Sequence, residues 1–303
     1  MKNWTIIIPQ AVLVLACCLT GTLEAQNLYV ADSKDNNLGE YGLDGSTVNA
    51  SVVPGLSYPV AIAISGNDMF VVNHANGTIG EYTTSGATVN ASLISGLNGP
   101  VGIAVSGNNL FVVEQGQFYN GLYLGFIGEY TTSGATVNAS LITGLLSPEG
   151  IAISGNNLFV ANSASGVVGE YTTSGATVNA ALISGTYGMT LAISGNDLFV
   201  VRYPYGTIGE YTTSGTMVNA SLISGLSEPI GIAISGNDLF VSNFGSGTIG
   251  EYTTSGATVN ASLISGLNGP QGLAISPVPE PSPELLALLG APMLICSRLR
   301  KAA

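Results

Sequence analysis

Cationic residues are nearly missing from the middle of this chain. Between residues 26 and 276 the only ones are Lys34 and Arg202, against fifteen carboxylates, a net charge of −13. Such a surface has no basic patch with which to hold nucleic acid or an anionic membrane. The same stretch has no cysteine, because Cys17, Cys18 and Cys296 all lie in the end segments. That excludes disulfides, thiolate metal sites and a cysteine nucleophile from the folded region. There is one histidine, His74, so no imidazole pair exists for zinc or for a two-histidine lyase centre. A Ser-His-Asp set cannot be assembled without ambiguity. No residue is assigned a catalytic role, and nothing in the composition requires a cofactor.

The two ends differ from the middle. Residues 1–25 read as an export signal: Lys2, an apolar stretch from Ile6 to Cys18, then Leu23-Glu24-Ala25 with a small residue at the cut. Val14-Leu15-Ala16-Cys17 is an imperfect lipoprotein box, which leaves lipidation at Cys17 open. At the other end, Pro277-Val278-Pro279-Glu280-Pro281 precedes an apolar run from Leu285 to Cys296 and a basic cluster of Arg298, Arg300 and Lys301. This is a stiff spacer, a hydrophobic segment and positive charge suited to the cytoplasmic side. Residues 277–303 resemble the PEP-CTERM sorting signal of Gram-negative bacteria. The resemblance implies an exosortase-type partner that recognises Pro-Glu-Pro and removes the tail. It also implies a brief membrane anchorage through the end segment. The apolar run is about 12 residues and carries Pro292, shorter than a full span.

Self-similarity organises the rest. Gly-Glu-Tyr occurs six times, with its tyrosine at Tyr41, Tyr82, Tyr130, Tyr171, Tyr211 and Tyr252, spaced by 41, 48, 41, 40 and 41 residues. A second segment, typified by Gly-Ile-Ala-Ile-Ser-Gly-Asn-Asp-Leu-Phe-Val, interleaves with it. Short β-branched and aromatic runs bounded by Gly, Asn and Ser are strand and hairpin signals. Four such strands per unit make a propeller blade. The first unit opens at Leu28-Tyr29-Val30, a second strand with no first strand before it. The missing strand stands at the far end as Gly272-Leu273-Ala274-Ile275-Ser276. Residues 26–276 are therefore expected to be all-β: a six-bladed β-propeller of four-stranded antiparallel blades. Its C-terminal strand would pair with the N-terminal blade and remove the exposed edges.

Asn27-Leu28-Tyr29-Val30-Ala31-Asp32-Ser33, with Ile-Gly-Glu-Tyr as third strand, resembles NHL-repeat propellers across residues 27–276. The resemblance implies the fold and leaves the function open.

Comparing the six units with one another shows where they differ. The turns joining first to second and third to fourth strands barely vary, as in Ser-Gly-Asn-Asp and Thr-Thr-Ser-Gly. The loops of the opposite face vary strongly, and loops on a rigid scaffold usually carry function. That face holds Tyr58, Tyr187, Tyr203, Tyr205 and Phe244, and a seven-residue insertion bearing Phe118, Tyr119 and Tyr123. Aromatic faces beside Asn and Gln suit sugar rings, though the same residues would also make a hydrophobic plug. The last residue of each second strand is Asp32, Asn73, Glu114, Asn162, Arg202 or Asn243. These are expected to ring one mouth of the channel. Their oxygens would suit Ca²⁺, as in six-bladed lactonases that hold calcium with Asp, Asn and Glu, although Arg202 opposes a cation there. The repeated glutamates are expected to serve packing or capping, and the Asn-Ala-Ser triplets strand or turn chemistry.

The sequence thus reads as an exported cell-surface or extracellular-matrix module that binds or scaffolds, with extracellular polysaccharide or another surface protein as partner. The alternative is a calcium-dependent lactonase-like or lyase-like enzyme. Intact-mass analysis of exported material is expected to show a chain starting near Gln26 and lacking the tail beyond the Pro-Glu-Pro motif. Full-length chain found soluble in the cytoplasm would contradict the export reading.

Overall fold

The computed structural model describes residues 26–277; the signal and sorting segments expected at the ends lie outside them. The strands fall into six four-stranded antiparallel sheets. Blade 6 shows the pattern. Its inner strand is Pro229–Ser235, its second Asp238–Asn243, its third Thr248–Thr253 and its outer strand Thr258–Ile264. The expected closure is present. The last strand, Pro270–Ile275, pairs antiparallel with the first, Asn27–Asp32, and completes blade 1. Ser276 extends the join by donating its N–H to the Asn27 carbonyl and accepting the Asn27 N–H on Oγ.

Alternation along each second strand drives the ring. In blade 1, Leu28 and Val30 pack with Phe240, Ile249 and Ile264 of blade 6. Their neighbours Tyr29 and Ala31 face the other way, onto Ile62, Met69 and Val71 of blade 2. Both faces of the strand are thus apolar and buried, and four further clusters repeat the arrangement around the ring. The aromatic at the strand's centre (Tyr29, Phe70, Phe111, Phe159, Phe199, Phe240) is at most 2% exposed in every blade. Each such side chain contributes roughly 1.5–3 kcal/mol by leaving water.

The Gly-Glu-Tyr motif has a steric reason. The tyrosine ring lies back across the glycine two residues earlier, so that a Cβ on Gly80 would stand 2.7 Å from the Tyr82 ring. All six tyrosines are buried. The glutamate between them meets the head of the second strand: Asn27, Asn109 and Asn157 donate from Nδ2 to Glu40, Glu129 and Glu170 at 2.7–2.9 Å. In blades 2, 5 and 6 the donor is replaced by Asp68, Asp197 or Asp238. Burial first and the facing aspartate second push Glu81, Glu210 and Glu251 above the usual carboxylate range.

The outer strands are exposed edges. Their register jumps against the third strand, and in every copy the asparagine of Asn-Ala-Ser (Asn-Ala-Ala in blade 4) turns its Oδ1 onto the N–H two residues on, at 3.1 Å. The triplet is therefore strand chemistry, and bulge and asparagine together blunt the edge.

The structure also differs from the sequence reading at the insertion. It lengthens the strands of blade 3, with the second running Asn109–Tyr119 and the third Leu122–Thr131. Asn120 (φ 50°) and Gly121 (φ 85°) form the two-residue turn that lets the ladder continue outward. A single 3₁₀ turn, Tyr203–Tyr205, interrupts the all-strand pattern in blade 5.

Deleting residues 272–276 should lower the melting temperature by at least about 10 °C, because blade 1 loses its inner strand and the ring its closing ladder. An unchanged melting temperature would show that the ring does not depend on this strand.

Candidate functional site

The inner strands stand side by side around the axis, each carrying a Pro-x-Gly-Ile motif or a close variant at its start. Their approach is close enough that a Cβ on Gly102 would lie 2.6 Å from the Glu149 carbonyl and one on Gly272 2.7 Å from the Val60 carbonyl. The axis narrows there to a void of about 120 Å³ lined mainly by the glycines and the aliphatic residues of the inner strands. Above it the residue at position x turns inward: Val60 (before Ala61 in blade 2), Val101, Glu149, Met189 (before Thr190 in blade 5), Ile230 and Gln271. All six line one cavity of about 320 Å³ at the channel mouth.

A second tier rises over this ring. It is the residue after Asn73, Glu114, Arg202 and Asn243, represented in the cavity by His74, Gln115, Tyr203 and Phe244, with Tyr58 added from the loop entering blade 2. Ser33 and Ser163 hold the same position in blades 1 and 4. The cavity opens on the variable face, where the loops hydrogen-bond to one another, as in His74 N–H to the Tyr58 carbonyl and Leu56 N–H to the Asn36 carbonyl.

Polar groups converge on one side. Gln115 Nε2 donates to Glu149 Oε1 at 3.1 Å. Burial pushes the Glu149 carboxyl up to about 7, while the bond from Gln115 pulls the other way. His74 Nδ1 lies 3.0 Å from the Pro100 carbonyl, which can only accept, so Nδ1 carries the proton of that bond. The Tyr58 ring stands 6.2 Å from the imidazole, tilted by 55°.

The aromatic residues expected from the sequence divide into three groups. Tyr58, Tyr203 and Phe244 line the mouth. Tyr187 and Tyr205 form an edge-to-face pair at 6.4 Å, with the Arg202 guanidinium 4.6 Å over Tyr205. Phe118, Tyr119 and Tyr123 belong to the blade 3 hairpin, where Phe118 and Tyr123 pack at 5.0 Å while Phe118 and Tyr119 are more than 60% exposed.

The polar ring expected at the mouth is placed elsewhere. Asp32, Asn73, Glu114, Asn162 and Asn243 are buried in the blades and none lines the mouth cavity. Asn73, Glu114, Asn243 and Asp32 instead accept the backbone N–H of Ser57, Asn98, Ser227 and Asn268, at 2.7–3.3 Å. Glu114 also accepts from Tyr130 Oη. Each oxygen staples the incoming loop to its blade. Arg202 inverts the polarity and donates from Nε to the Thr186 carbonyl. The reason is strand alternation: one residue further along, the side chain points to the other side. Among the described residues no group of three or more His, Cys, Asp or Glu side chains is disposed to hold a metal ion. Glu149 and Gln271 were not singled out from the sequence. The signal was there, since x in the four Pro-x-Gly copies is Val or Ile in two and Glu or Gln in the other two.

No family model matches the chain, and no curated protein matches it in sequence. Solved structures match in fold. A chain of the nidogen/laminin complex superposes with a TM-score of 0.67 at 14% identity, covering 84% of this chain and 99% of that one. A streptogramin B lyase does so with 0.59 at 19%, covering 81% and 82%. A protein of unknown function from Bacteroides caccae gives 0.62 at 18%, covering 85% and 100%. The class the fold defines is thus a six-bladed β-propeller.

The pH dependence of stability should carry the mark of Glu149. Its folded-state pKa stands above the ordinary glutamate value, so its contribution is fully present below that value and is lost as the pH rises through about 7. Glu149→Gln should therefore flatten the loss of stability between about pH 5 and pH 8 by roughly 1–2 kcal/mol, reduced from the full shift because the cavity is open to water that screens the carboxylate. Parallel pH profiles for the two proteins in denaturant melts would contradict this.

Proposed function

We propose that this propeller is an exported module of the cell surface or extracellular matrix that binds glycan at the channel mouth. One observation carries the reading. The uniform face and the outer strands repeat from blade to blade, while the two tiers lining the mouth contain a different side chain in almost every blade. Tyr58, Tyr203 and Phe244 offer ring faces for sugar stacking, and Gln115, Gln271 and Glu149 offer hydrogen bonds beside them. The blade 3 hairpin, with Phe118, Tyr119 and Tyr123, is a second aromatic surface on the same face along which a longer polymer could run. Export, sorting by an exosortase-type partner and release of the tail belong to the same proposal and rest on the end segments alone.

An enzymatic reading draws on Glu149 and His74 lining a common cavity from blades two apart, a carboxyl pushed up to about 7 and an imidazole facing the same void. Calcium-dependent lactonase or lyase chemistry would need a metal site outside the staples described above.

A glycan array probed with the full chain tests the binding reading. Tyr203→Ala and Tyr58→Ala should each weaken binding by roughly 1–3 kcal/mol with little change in melting temperature. Substituting Thr213 or Ser214 on the uniform face should leave binding unchanged. Equal losses on both faces, or glycan capture by none of the proteins, would overturn it.

A further inference from the structure

We infer that the channel mouth selects glycans carrying a free amino group, with Glu149 as counter-ion to the protonated amine. The inference rests on the glycan reading above and adds the charge of the ligand to it.

The argument starts from what faces Glu149. The titratable side chains lining the cavity are Tyr58, His74, Glu149 and Tyr203, with no lysine or arginine among the described residues there. Neither of the two cations of the domain lines the cavity, although Lys34 stands at its rim against Phe244. Lys34 Nζ lies 4.4 Å from the centre of the Phe244 ring, and Arg202 covers Tyr205. The partner of Glu149 is a neutral amide, Gln115 Nε2. The flanking inner strands present Val101 and Gly102 on one side and Met189 and Thr190 on the other, all uncharged. His74 lies two blades away and spends Nδ1 on the Pro100 carbonyl.

A carboxylate placed in a cavity without a cation is disfavoured, and an arriving ammonium supplies what the protein withholds. The walls support the same choice. Tyr58 and Tyr203 present π-faces, whose negative quadrupole favours a cation close by. The net charge of −13 adds a long-range attraction for a cationic polymer and none for an anionic one. An N-acetylated sugar offers equivalent ring faces without the charge, so Glu149 is the group that tells the two apart.

Titration calorimetry of the full chain with a glucosamine tetramer and with its N-acetylated counterpart tests this. Near neutral pH the amine form should bind at least tenfold more tightly, about 1.4 kcal/mol. Its affinity should fall as the pH drops through about 7, where Glu149 takes up a proton, while that of the acetylated form stays level. Glu149→Gln should remove both the preference and the acid limb. Equal affinities in the native chain, or a preference that survives Glu149→Gln, would overturn the inference while leaving glycan binding in place. Failure of both tetramers to bind would overturn this inference and the glycan reading together.

Discussion

Every blade here is a thin sheet with two apolar faces, and neither face can be satisfied within the blade. That constraint governs the rest. Phe240 needs Leu28 and Val30 of the next blade, and Tyr29 needs Ile62 and Met69 of the one after. An open row of such sheets would leave its first and last faces in water. The ring closes because the chain is offset by one strand, so that its end supplies the inner strand that its beginning lacks. Leu273 of that strand sits in the same cluster as Leu28 and Phe240, so the closing ladder also completes the core.

Closure has a consequence at the axis. Inner strands held together by buried faces bring six starts, four of them Pro-x-Gly, to one point, from residues more than 200 positions apart. Only there do Glu149 and Gln271, from blades three apart in the ring, share a cavity. Repetition supplies the walls, and the residues that escape repetition supply the chemistry. The same logic separates His74, Gln115, Tyr203 and Phe244 from the staples one residue before them. The staples hold the loops, and the residues after them stand over the mouth.

The architecture was legible because its signals repeat: the Gly-Glu-Tyr period, the turns, and the offset between Leu28 and Gly272. The site was legible only in part. Tyr58, Tyr203 and Phe244 were visible as aromatics in variable loops. The second-strand ends were assigned to the mouth because they are polar and vary, but alternation along the strand turns Asn73 or Glu114 into the blade and sends His74 or Gln115 over the axis. Glu149 was hidden for another reason. A single change inside a well-repeated motif looks like drift until ring closure shows that its position faces the channel. The insertion read as a loop because its length broke the period, yet Asn120-Gly121 is a hairpin turn and the added residues simply lengthen the ladder.

The central claim is that the repeated blades are architecture and the unrepeated mouth is the site. A fourfold variant tests it most directly: His74→Ser, Gln115→Ser, Tyr203→Ser and Phe244→Ser, giving all six blades the serine that Ser33 and Ser163 already provide. Unfolding and glycan capture would be measured on the same preparation. The account predicts one cooperative transition within a few degrees of the parent and loss of capture. Capture retained at parental strength, or loss of the cooperative transition, would contradict it.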